Sequence, residues 1–140
     1  MKTQISLKDG VAFEAISGSG HLLTMDGAPE AGGKNLGARP MEMLLMGLGG
    51  CSAYDVVTIL RKSRQNITNL ALEVDAKRAE TDPKIFTSIH LLFKITGHDL
   101  KSNIVERAIN LSAKKYCSAS IMLGKSAHIT HDYEIHSASD

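Results

Sequence analysis

Between Met41 and Leu60 the chain is apolar on nearly all sides of a helix, yet it keeps Gly47, Gly49 and Gly50 in the middle of that stretch. A helix apolar all round belongs inside a core. Each internal glycine costs about 0.8–1.0 kcal/mol relative to alanine. A helix that keeps three of them usually has another backbone or a ligand lying close against it. One chain of 140 residues can hardly cover such a helix on every face, and a second copy would. The segment predicts a buried helix from Pro40, a residue suited to the first helical turn, to about Arg64, in a homodimer.

The rest of the composition narrows the class. Hydrophobic residues make up 43% of the chain and aromatic residues 4%, so the expected core is aliphatic and rich in methionine, of which the chain has six. A formal charge of +1 gives no general attraction to nucleic acid or to an anionic membrane surface. The basic run Arg61-Lys62-Ser63-Arg64 reads as a solvated helix C-terminus, where cations complement the helix dipole. The first residues contain no apolar segment of the kind a signal peptide needs. No apolar run is expected to reach the ~20 residues of a membrane helix. The expected location is the cytoplasm, where cysteine pairs are more often redox-active than structural.

Around the helix the pattern is α+β, in a single domain over residues 1–140. Lys2–Lys8 and Val11–Ser17 flank Asp9-Gly10, a strong hairpin signal, and His21–Met25 makes a third strand. A Gly-rich loop from Asp26 to Pro40 is long enough to suggest function rather than mere connection. After the helix, Leu70, Leu72, Val74 and Ala76 alternate with polar neighbours as one buried strand face. Ile85, Thr87, Ile89, Leu91, Phe93 and Ile95 predict a second. Asp99 is placed to cap a helix over 100–115, Ser118–Leu123 a short helix ended by Gly124, and 129–136 a last strand.

Cys51 and Cys117 are the two cysteines of the chain. Taken alone, they are either a paired redox centre or two inert core thiols. The residues around them decide. Arg39-Pro40-Met41-Glu42-Met43-Leu44-Leu45-Met46-Gly47-Leu48-Gly49-Gly50-Cys51-Ser52-Ala53 resembles the first-cysteine motif of the OsmC/Ohr family, and Lys115-Tyr116-Cys117-Ser118-Ala119-Ser120 resembles its second. The order of elements matches as well, so the resemblance covers nearly the whole chain, and it is closest to the YhfA-like branch.

The resemblance implies an intertwined homodimer with antiparallel sheets wrapped around central helices and active sites at the subunit interface. It implies a thiol peroxidase acting on organic hydroperoxides. In that cycle Cys51 becomes a sulfenic acid, Cys117 resolves it as a disulfide and an external dithiol restores both; no cofactor is implied. A second thiol nearby captures the sulfenic acid before it over-oxidises. Met43, Met46 and Tyr54 are the expected substrate contacts, the methionines supplying soft walls.

In peroxidase members an acid directly follows the proline and works with an arginine from an upstream loop. Here Met41 follows Pro40 and the acid is Glu42. Arg39 stands twelve residues before Cys51, about 18 Å along a helix, so the activating cation is expected from the partner subunit's Arg39 or from Lys34. Asp55 lies one turn after Cys51 on the same face; it either disfavours a thiolate there or satisfies a buried polar group. The six histidines suggest no metal set, and no metal ligands are expected. The rival class is a non-catalytic protein binding a small apolar or thiol-reactive molecule in a dimer-interface pocket.

Overall fold

In the computed structural model, which describes residues 1–139, the chain reverses just after Asp9. It passes through Gly10 and Val11, between β1 (Gln4–Asp9) and β2 (Ala12–Ile16). Gly10 has a φ of 56°, the left-handed region that glycine enters without steric cost. β3 (Leu22–Met25) pairs antiparallel with β2, giving a three-stranded sheet in the order β1-β2-β3.

The long loop that follows is tied down by one buried carboxylate. Asp26, 2% exposed, accepts the backbone N–H groups of Gly27 (2.7 Å), Lys34 (3.0 Å) and Leu36 (3.1 Å). A single turn of 3₁₀ helix, Pro29–Ala31, lies inside it, and Lys34 Nζ reaches Asp9 at 2.7 Å. These elements form one compact unit, Met1–Leu45, in which Ala12 and Asp26 are the buried residues among those described.

α1 (Pro40–Lys62) begins in that unit and continues into the second, Met46–Asp140. It ends where Arg64 takes a φ of 59°. Leu48, Gly49, Ser52, Val56 and Leu60 form its one buried stripe, while Leu44, Met46 and Tyr54 stand exposed. The helix buried on every side is therefore not completed within one chain.

The expectation that nothing here is long and apolar enough to cross a membrane needs correction. By length and composition Pro40–Lys62 is, its most apolar 18 residues averaging a hydropathy of 1.6. The buried stripe accounts for part of that apolarity: 28% of those residues are buried within the single chain.

β4 (Asn66–Arg78) and β5 (Phe86–His98) pair antiparallel over almost their full length. Leu70, Leu72, Val74 and Ala76 turn inward as expected, opposite Ile95, Phe93, Leu91 and Ile89. The start of the second row differs: Ile85 and Thr87 are exposed and Phe86 is buried. The cause is a bulge. Arg78 pairs with Phe86 while Lys77 pairs with Ser88, so Thr87 is the extra residue that flips the alternation.

Gly49 lies over this face. A Cβ there would meet Val74 Cγ2 at 3.1 Å and Leu72 Cδ2 at 3.6 Å. The close approach its sequence suggests is made to β4. Gly47 and Gly50 have nothing within 4 Å of such a Cβ.

α2 (Ser102–Leu111) starts at Lys101 without a side-chain cap, because Asp99 takes a φ of 52° and stays outside the helix. A π turn over Ser112–Tyr116 replaces its expected last turn, and α3 (Ser118–Leu123) follows. These helices carry the chain across the sheet, so that β6 (His128–Ser137) joins β5 in parallel. The sheet, in the order β4-β5-β6, is mixed rather than wholly antiparallel.

Candidate functional site

Two helices and the π turn bring the two thiols of the second unit together. Cys51 and Asp55, four apart on α1, project from one helix face. Cys117 comes from the start of α3. Cys51 Sγ, Cys117 Sγ and a carboxylate oxygen of Asp55 all lie within 4.8 Å of one another. Cys117 is fully buried and Cys51 half-buried, so a reagent from solvent meets Cys51 first.

The buried thiol is well supplied with partners. Its backbone N–H donates to Ser112 O, five residues back, at 2.8 Å, which is the π-type bond that sets its position. Its sulfur is the N-cap of α3, accepting Ser120 N–H at 3.3 Å, a role usually taken by Ser, Thr, Asp or Asn. Ser52 Oγ, buried beside Cys51 in sequence, lies 3.3 Å from the same sulfur.

Burial pushes the Cys117 thiol above its ordinary pKa, and neighbouring Cys51 adds to that. The Ser52 hydroxyl and the Ser120 N–H pull the other way without overcoming burial. A short helix opening at this residue would suggest a lowered value; desolvation wins. Asp55 has the buried polar partner that was one of its two readings, since Ser112 Oγ donates to its Oδ2 at 3.1 Å.

The other expected site residues are placed differently. Arg39 and Glu42 belong to the first unit. The Arg39 guanidinium donates to Asn35 Oδ1 (2.9 Å) and Gly37 O (3.2 Å). Glu42 Oε1 accepts the Arg39 backbone N–H at 2.8 Å and closes the first turn of α1, as the acid of a capping box does. Met43 is half-buried in that unit. Met46 is exposed, and Tyr54, 74% exposed, lines a groove of about 520 Å³ with Gly50, Val57, Arg61 and Leu70; Cys51 is not in its lining. Lys34 spends its charge on Asp9. Ser52, Ser112 and Ser120 were invisible as site residues in the sequence, because only the π turn and the helix register bring their donors to Cys117 and Asp55.

A three-stranded N-terminal sheet, a long apolar helix and a mixed sheet crossed by helices, with two cysteines meeting between helices, define a two-thiol α+β protein of the OsmC/Ohr fold. The sequence profile of OsmC-like proteins matches residues 32–132, and the chain belongs to that family. It is 46% identical over 135 residues to protein YhfA of Escherichia coli strain K12, covering 96% of this chain and 98% of that one. A solved structure from structural genomics superposes with a TM-score of 0.90 at 43% identity, over 99% of this chain and all of the other. The organic hydroperoxide resistance protein OhrB of Bacillus subtilis superposes with a TM-score of 0.62 at 17% identity, over 96% of this chain and 98% of that one. That last likeness is one of fold.

Proposed function

We propose that the protein is a thiol peroxidase that reduces organic hydroperoxides through a cycle of Cys51 and Cys117. The observation that carries this reading is the pair of sulfurs within 4.8 Å, one reachable and one buried. Membership of the OsmC-like family supports it.

The Cys51 thiolate attacks the distal oxygen of ROOH. The O–O bond breaks, ROH leaves with one proton, and Cys51 becomes a sulfenic acid. Cys117 then attacks that sulfur, water leaves, and a disulfide remains. An external dithiol reduces it and returns two thiols. Apolar residues flanking Cys51 on α1 favour an alkyl hydroperoxide over the small polar H2O2. The need for a dithiol reductant places the protein in a reducing compartment, the cytoplasm.

Family members are typically homodimers. We assign the same state to this chain, because Leu44, Met46 and Tyr54 of α1 and much of the first unit's apolar surface, including Ile5, Leu7 and Leu22, stand exposed. Arg39 and Glu42 would then complete the site from a partner. The binding-protein alternative rests on an apolar cavity of about 430 Å³ in the first unit, lined by Ile5, Val11, Phe13, Met25 and Pro40.

Turnover of cumene hydroperoxide with a dithiol separates the two readings. Cys51→Ser is expected to abolish it. Cys117→Ser is expected to allow one oxidation and then stall as a sulfenic acid that dimedone traps. A Cys51→Ser rate equal to that of the unaltered protein, or dimedone capture on Cys117 first, overturns the assignment.

A further inference from the structure

The donor set at the thiol pair is larger than a disulfide cycle requires. Asp55 adds a carboxylate to two sulfurs, and among the described residues no ion pair neutralises it. We propose that the reduced site binds one thiophilic divalent metal ion, with Zn2+ as its representative. Its ligands are Cys51 Sγ, Cys117 Sγ and an Asp55 carboxylate oxygen, and a fourth position stays open to water or an exogenous thiol.

The geometry is close to what such an ion needs. Tetrahedral Zn2+ with sulfur at ~2.3 Å and oxygen at ~2.0–2.2 Å holds its donors roughly 3.5–3.7 Å apart. Here the three donor atoms already lie within 4.8 Å, and small side-chain rotations close the difference. Two ligands come from one face of α1 at a four-residue spacing and the third from the N-cap of α3, so regular elements hold all three.

The surroundings are those of a supported ligand set. Ser112 Oγ donates to Asp55 Oδ2 and fixes the carboxylate in place. Ser120 N–H and Ser52 Oγ point at Cys117 Sγ, where they support a thiolate. Hydrogen-bonded ligands of this kind are the rule at metal centres. Two thiolates select Zn2+ and its soft congeners over Mg2+ or Ca2+.

Binding is balanced by protons: two thiols and M2+ give a bis-thiolate complex and two H+. The metal and the disulfide use the same sulfurs, so they exclude one another. A two-electron oxidant that forms the disulfide releases the ion, and the bound ion shields the thiols. This inference does not rest on the peroxidase reading, because any reduced form of the site presents the same donors.

The test is a Co2+ titration of the reduced, chelator-stripped protein. The expected result is a thiolate-to-cobalt charge-transfer band saturating at one Co2+ per chain, displaced by Zn2+, with two protons released per ion. The disulfide form gives no band. Cys51→Ser and Cys117→Ser each weaken the band and the affinity. Asp55→Asn weakens affinity at least about tenfold, the lower end of what losing even an outer-shell partner does. Asp55→His, which keeps a donor, restores it, and circular dichroism checks that each variant folds. No band in the reduced protein, a band that survives both cysteine substitutions, or an affinity unmoved by Asp55→Asn overturns the proposal.

Discussion

Cys117 shows how a single residue's surroundings set its part in the chemistry. Burial holds its thiol above the ordinary value of 9.0, against the pull of Ser52 and Ser120. At neutral pH the folded protein therefore keeps this proton more firmly than a free thiol would. The resolving step needs the thiolate, so it is expected to be slow near neutrality and to keep accelerating as pH rises through and beyond 9.0. Stopped-flow measurement of disulfide formation after a pulse of hydroperoxide checks this; a rate that levels off well below pH 9 contradicts it. The pairing of Cys51 with Cys117 was legible in the motifs around each cysteine. The direction of the Cys117 shift was not, because proximity to a helix start is visible in sequence and complete burial is not. Ser112 was hidden for a related reason: its hydroxyl meets Asp55 because the backbone adopts a π turn, and no residue in Ser112–Tyr116 announces one.

Among the elements, the loop after β3 depends on one side chain. Burial alone would raise the Asp26 pKa, but the N–H groups of Leu36, Gly27 and Lys34, with the charge of Arg39, outweigh it and leave the value lowered. A carboxyl lowered in the folded state favours folding above its ordinary 3.8, and that contribution is lost as pH falls through the folded value. Asp26→Asn keeps one acceptor oxygen for three donors. It is expected to speed amide hydrogen exchange at Lys34 and Leu36 severalfold near neutral pH, with β4 and β5 unaffected; unchanged exchange at those two amides would remove Asp26 from this role. Periodicity made nearly every element readable, including Ser118–Leu123 to the residue. It failed at Thr87, where a bulge shifts the phase, and it could not tell that β6 runs parallel, since a strand's direction is set by the helices that return the chain.

Gly47 and Gly50 join this scale to the whole molecule. Alanine at either meets nothing within 4 Å in the chain, so in a monomer each substitution should stabilise α1 by about 0.8–1.0 kcal/mol. In a homodimer a partner helix covers that face, and the opposite is expected. Sedimentation at micromolar concentration should give roughly 30 kDa for the unaltered protein, twice the chain's 15.1 kDa, and Gly47→Ala with Gly50→Ala should shift the equilibrium toward monomer. A gain in thermal stability with no change in mass would contradict a covered face. The dimer was inferred from the first feature of the sequence, and the exposed side of α1 in the single chain is its structural counterpart. What the sequence left open was which groups attend Cys117 and Asp55, because Ser52 reaches the Cys117 sulfur and Ser112 reaches Asp55 only after the helices have packed.

A count of free thiols tests the two-cysteine cycle directly. Reduced, metal-free protein is treated with one equivalent of cumene hydroperoxide, and its thiols are titrated under denaturing conditions before and after a dithiol is added. Both thiols of each chain are expected to disappear together and both to return. If both remain free after hydroperoxide, or if Cys51 alone is lost with Cys117 still titratable, the two-cysteine cycle is not what this site performs.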